Sequence, residues 1–255
     1  MKIAVEKLSS NRSTNMKGII LAGGTGKRLL PFTQIINKHL LPLYDKPMVY
    51  YPLETLINAG IQDILIITGE NSSKDFITLF EGKKPLGLKK IQLVYQKKPG
   101  GIAEALGLAK KFVGHDTMVV ILGDNIIGEN IKKYIERFNR QKKGAKLFFK
   151  KVTDTKQFGI GKFNHGKLIG INEKPKKAAS HFACIGLYMY DHQVFDIIKN
   201  LKPSKRGELE ITDVNNAYIA QKTATHEYVK GFWSDAGTFE TLFGSAEFIR
   251  SKRKI

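Results

Sequence analysis

The chain has 255 residues, 42% of them hydrophobic and 25% charged, which suits one large folded domain with ample core. No run is apolar enough for a secretory leader or a membrane span, and the one cysteine, Cys184, excludes an internal disulfide, so a cytoplasmic protein with no membrane partner is expected. The net charge of +19 fits anionic partners. The lysines, however, are scattered in pairs such as Lys97-Lys98, Lys132-Lys133 and Lys176-Lys177, which reads as solvated faces and not as a nucleic-acid stripe.

Residues 1–15 are polar and read as a flexible arm, leaving 16–255 as one domain. The apolar run Gly18-Ile19-Ile20-Leu21 predicts a buried strand over about 17–22. It leads into Ala22-Gly23-Gly24-Thr25-Gly26-Lys27-Arg28. Glycines permit a tight turn and a close backbone approach, and two cations follow, so the stretch has the outline of a phosphate cradle. It is not a P-loop, because Arg28 stands where Ser or Thr is required and Leu21 where the first Gly is required. It is not a dinucleotide fingerprint either, because Leu29 replaces the third Gly.

Pro31 and Pro42 bound a passage expected to be rigid and non-helical. A helix is predicted over 47–60, opened by Pro47 and closed by Gly60, then a strand over 61–68, a helix over 73–81 and a strand over 90–95. The turn from Gln96 to Gly101 leads into a helix to about 112. A strand over 118–122 ends in Gly123-Asp124-Asn125, and a helix covers about 130–142. This alternation predicts an α/β fold with a mostly parallel sheet, ligands binding at the carboxyl ends of its strands. The second half reads as short strands at 145–152, 159–163, 167–171 and 182–190. Helices follow near 191–200 and 208–221, then a strand at 225–228, a loop over 232–238, and a helix from 239. With no linker or repeat between them, 16–143 and 144–250 read as two halves of one unit.

Certain stretches together resemble the nucleotidyltransferases that act on sugar 1-phosphates, and most of all the glucose-1-phosphate thymidylyltransferase branch. They are Gly18–Leu29, Lys38–Leu53, Gly123-Asp124-Asn125, Glu173-Lys174-Pro175, Gly186–Tyr190, Leu201–Asp213 and Trp233–Thr238. The resemblance covers about 16–250 and is to a short form without the C-terminal extension, so an allosteric site built from that extension is not expected. It implies a Rossmann-like three-layer fold with a smaller sugar-binding part, and a homo-oligomer (dimer or tetramer). The implied reaction is dTTP (or UTP) with glucose 1-phosphate, or another sugar 1-phosphate, giving dTDP-glucose and pyrophosphate with Mg²⁺.

The resemblance also implies roles. Arg28 and Lys38 would act on the triphosphate, and Lys174 on the sugar phosphate. Leu21, Gly23, Gly24, Gly26, Gln96, Gly101 and Asp124 would contact the nucleotide. Gly159, Glu173, Lys174 and Cys184 would line the sugar pocket, and Asp124 with Asp235 would hold the metal. Gly100 departs from the Asp of the thymidylyl branch, which leaves UTP as the alternative nucleotide. A sugar-nucleotide-binding subunit without catalysis is the alternative of another class. Read alone, Asp124 is also compatible with turn chemistry, Asp235 with a helix entry and Cys184 with core.

Overall fold

The structure, a computed structural model, describes residues 16–81, 90–141 and 143–252. The expected arm over 1–15 lies outside the described residues. Among the described residues, the centre is a nine-stranded mixed sheet. Its first part joins β1 (Lys17–Ala22), β4 (Asp63–Gly69), β5 (Lys90–Gln96) and β6 (Met118–Leu122), all in parallel pairs in the order β6-β1-β4-β5. β1, β4 and β6 are covered on both faces, which is why their sequences run apolar without alternation, whereas β5 is only half-buried and leaves Tyr95 exposed.

On one face Ile20, Ile64, Ile66, Val119 and Ile121 pack with α1 (Tyr50–Asn58), α2 (Ser73–Phe80) and α5 (Lys132–Gln141). On the other face Ile19, Leu65, Ile67, Met118 and Val120 pack with α3 (Ile102–Gly107), α6 (Val194–Asn200) and α7 (Ile211–Ala220). Helices thus form the outer layers of an α/β sandwich.

The second half joins the same sheet through β11 (Phe182–Tyr190), which runs antiparallel to β6. β11 also pairs with β8 (Ala145–Lys151) and β9 (Gly159–Asn164); β9 carries β10 (Lys167–Glu173), and β8 carries β12 (Ala224–Tyr228). β6 is therefore the seam between the two halves, and Asp124 lies just past its carboxyl end.

Several predicted elements differ. The helix expected from Pro47 begins at Tyr50. Pro47 instead pairs with Pro42, in the two-residue strands β2 (Pro42–Leu43) and β3 (Lys46–Pro47). The passage expected to be non-helical contains two single-turn 3-10 helices, Phe32–Gln34 and Lys38–Leu40, and a third, Lys27–Leu29, ends the glycine turn before it. The helix expected through 112 breaks at Leu108–Ala109 and resumes as α4 (Lys110–Val113). The loop expected over 232–238 contains β13 (Trp233–Asp235), which pairs antiparallel with β7 (Asn125–Ile127). Beneath this ribbon Ile126 and Ala236 pack with Leu43, Met48 and Ile249, the last from α8 (Phe239–Lys252). Among the described residues no helix is long and apolar enough to cross a membrane.

Candidate active site

The turn after β1 is shaped by its glycines. Gly24 and Gly26 have φ of 94° and 62°, values that a side chain disfavours. At Gly26 a Cβ would also lie 2.7 Å from Thr33 Cγ2, and the Thr33 hydroxyl donates to the Gly26 carbonyl at 2.9 Å. The turn is anchored by Leu29, which is fully buried, and this sets Arg28 facing the opposite wall. The Arg28 guanidinium donates to Gln157 Oε1 at 2.6 Å and lies 3.5 Å from Asp235 Oδ2. Gly237 leaves room for it, since a Cβ there would stand 2.6 Å from Arg28 Nη2.

Lys38 is presented by a short capped turn. Asn37 accepts the His39 backbone N–H at 2.9 Å, while its amide donates to Ser72 Oγ at 3.0 Å. Lys38 Nζ then meets Asp124 Oδ2 at 2.5 Å. Burial acts to raise the Asp124 carboxyl, but Lys38 and the hydrogen bonds from Lys38 and Asn125 hold it well below the ordinary carboxylate range. The acid is therefore ionised in a buried position.

His39 is buried beneath this pair, and a Cβ at Gly123 would lie 2.7 Å from its ring. Burial, and then the Lys38 charge, lower its pKa to about 3, so it stays neutral. Its role is to support the Lys38 turn, and Gly123 is small because the ring needs the space.

Asp235 reaches the site through the β7–β13 ribbon, in register with Asn125. The Ala236 N–H donates to the Asp124 carbonyl at 2.8 Å. Burial, then the Asp124 charge, push the Asp235 carboxyl up to about 6, with Arg28 opposing them. Asn125 fixes the ribbon from within. It is buried, and its Oδ1 accepts both Trp233 Nε1 at 2.7 Å and the Gly186 N–H at 3.0 Å.

Two clefts meet here. One, of about 220 Å³, is lined by Leu21, Gly23, Gly24, Gln96, Gly101 and Glu208 among others. The other, of about 250 Å³, takes in Arg28, Gly159, Glu173, Lys174, Cys184 and Asp235. Lys38 and Asp124 line both. The predicted residues thus come together, except Gly26, which bends the turn but lines neither cleft. Gly101 has φ of 100°, and a Cβ there would lie 2.4 Å from the Leu209 carbonyl, so only glycine fits this corner.

In the second cleft Glu173 is held by Thr212, whose hydroxyl donates to Oε2 at 2.6 Å. Lys174 follows at φ 42°, and its N–H donates to the Phe158 carbonyl at 3.0 Å. Cys184 forms wall beside Asn215, and burial, then the Glu173 charge, push its thiol well above the ordinary range, so it is not a nucleophile here.

Sequence reasoning assigned no role to Arg206, Glu210 or His39. Arg206 makes a bidentate pair with Glu210, at 2.9 and 2.7 Å to its two oxygens, and lies 3.5 Å from Glu173. The signal available was the Leu201–Asp213 stretch, which contains Arg206 and Glu210; its chemistry needed the fold. A divalent metal fits the acid pair: Asp124, buried, and Asp235, half-buried, supply hard oxygens whose mutual repulsion a cation would relieve. Among the described residues no group of three or more His, Cys, Asp or Glu forms a closed cage, so such a metal would draw further ligands from substrate and water.

Residues 17–252 match the family model for nucleotidyl transferases. The chain belongs to the nucleotidyl transferase family. It is 41% identical over 244 residues to a glucose-1-phosphate thymidylyltransferase of Neisseria meningitidis serogroup A, covering 94% of this chain and 84% of that protein. It is 43% identical over 242 residues to the protein of that name from Xanthomonas campestris, covering 93% and 82%. A Bacillus anthracis crystal structure assigned as a glucose-1-phosphate thymidylyltransferase, in complex with sucrose, superposes with a TM-score of 0.89 at 46% identity, covering 94% of this chain and 97% of that one. A UDP-glucose pyrophosphorylase, at 24% identity, shares the fold with a TM-score of 0.85 over 93% and 99% of the two chains.

Proposed function

We propose that this family member is a glucose-1-phosphate thymidylyltransferase, a cytoplasmic enzyme joining dTTP and glucose 1-phosphate into dTDP-glucose and pyrophosphate. The observation that carries the reading is the meeting of two clefts at Lys38 and Asp124. A nucleotide bound in the first cleft and a sugar phosphate in the second would bring their phosphates together at that junction. The glucose-1-phosphate thymidylyltransferases similar to this chain support the choice of substrates.

The chemistry is an in-line displacement. An oxygen of the sugar phosphate forms a bond to the α-phosphorus, and the bond from that phosphorus to the bridging oxygen breaks, its electrons leaving with pyrophosphate. The attacking phosphate is already an anion, so no general base is needed. The difficulty is bringing anions together, and catalysis consists of positioning and charge stabilisation.

Arg28 is half-exposed, so it can exchange Gln157 and Asp235 for the triphosphate. Lys38 stands at the junction and stabilises charge on the α-phosphate. Lys174 and Arg206, both at the rim of the second cleft, receive the sugar phosphate, and Glu173 accepts from sugar hydroxyls. Asp124 and Asp235 would hold Mg²⁺. When bound, that ion offsets phosphate charge as the new bond forms.

The test is pyrophosphate release across nucleoside triphosphates and sugar 1-phosphates. Turnover should be fastest with dTTP and glucose 1-phosphate. Folded protein that turns over no pair would overturn the reading.

A further inference from the structure

Gln96 ends β5, is 8% exposed, and lines the first cleft. Its Nε2 donates to Glu104 Oε1 at 3.0 Å. A carboxylate accepts hydrogen bonds and has none to give, so the NH₂ end of the amide must face it. The choice between the two amide orientations is made by Glu104. The Gln96 oxygen is then turned the other way, 3.6 Å from where a Cβ on Gly23 would stand, on the cleft wall.

Gly100 belongs to the same arrangement. A Cβ there would lie 1.5 Å from Glu104 Oε2 and 2.3 Å from its Cδ. The Glu104 carboxylate occupies the space that any side chain at position 100 would take. The acid expected at position 100 is thus supplied one helical turn later, from α3.

We propose that Glu104 is a positioning residue for base selection: by fixing the Gln96 amide with its oxygen toward the cleft, it admits a pyrimidine carrying an N3–H, thymine or uracil, and refuses cytosine. The inference rests on the nucleotide reading of this cleft given above. Thymine and uracil donate from N3 to the Gln96 oxygen. Cytosine presents a lone pair at N3, and two acceptors would face each other away from water.

The test compares binding of dTDP and dCDP by titration calorimetry, together with turnover of dTTP and dCTP, in Glu104→Ala, Gly100→Ala and the double variant. Wild type should prefer dTDP. With the amide released, dTDP affinity should fall about twofold, because the correct orientation is held about half the time. Affinity for dCDP should rise about tenfold or more, because the mismatch is relieved by a flip. Gly100→Ala should behave the same way, since its methyl displaces the carboxylate, and the double variant should add nothing further. Glu104→Gln, whose amide can either accept or donate, should fall between. In turnover the change should appear in KM and not in kcat, a split that general loosening of the fold would not produce.

An unchanged dTDP-to-dCDP ratio in folded Glu104→Ala would overturn the proposal, as would a wild type that binds the two equally or binds neither. Selective binding by a wild type that turns over no substrate pair would sink the transferase reading and leave the base selection standing.

Discussion

Arg28 and Asp235 occupy one corner of the site for opposite electrostatic reasons, and each yields a measurable expectation. In the proposed reaction Arg28 would face the gathering phosphate charge, and loss of such a preorganised donor costs about 10²–10³ in kcat. Arg28→Ala should therefore lower pyrophosphate release by that order while circular dichroism stays unchanged. Asp235 is largely shielded, its side chain 17% exposed, and its carboxyl is raised from 3.8 to about 6, so ionising it opposes folding. Below about pH 4 the acid is protonated whether folded or not, and no penalty exists; between pH 4 and 6 the penalty grows, and above 6 it is complete. Two pH units correspond to roughly 3 kcal/mol. Ligand-free Asp235→Asn should melt several degrees above wild type at pH 8 and together with it below pH 4, while losing metal-dependent turnover. A wild type and variant that melt alike at pH 8 would remove the strain assigned to this carboxylate.

The β7–β13 ribbon is the element on which the acid pair depends. Asn125→Ala leaves the buried Gly186 N–H and the half-buried Trp233 Nε1 without their acceptor. Each such loss costs about 1–3 kcal/mol. Urea unfolding should show a destabilisation of that order, with turnover reduced because Asp235 is no longer held in register with Asn125.

The same ribbon marks the limit of what the sequence discloses. β1, β4 and β6 were legible because strands buried on both faces are written as apolar runs, and the glycine turn because Gly23, Gly24 and Gly26 precede two cations. Asn125–Ile127 and Trp233–Asp235 are three residues each, too short for any period to register, and each becomes a strand only by pairing with the other. Pro47 looked like a helix start because local chemistry allows it there, and its pairing with Pro42 overrides that preference. Glu104 gave no signal, since its bond to Gln96 forms only once the turn over 97–101 brings α3 back to the end of β5.

At the scale of the whole molecule, two properties bear on substrate capture. The chain carries +19 net charge, and both proposed substrates are anions. The field steers them toward the clefts and is screened by salt. Raising sodium chloride from about 50 to about 500 mM, which shortens the screening length to a few ångströms, should lower kcat/KM for dTTP several-fold and leave kcat nearly unchanged. An equal loss in both would place the salt effect in the chemical step.

The sheet, meanwhile, runs unbroken from β5 to β10, so the walls of both clefts are built on one continuous sheet across the β6–β11 pairing. Against that frame Trp233 has a particular value. It is the chain's one tryptophan, it lines the second cleft, and its ring nitrogen is tied to Asn125 while its face meets Phe158 edge-on. Excited beyond the tyrosine absorption, the protein is its own single-point optical probe. Its emission reports the sugar side directly, so arrival of the second substrate can be followed in real time without a label.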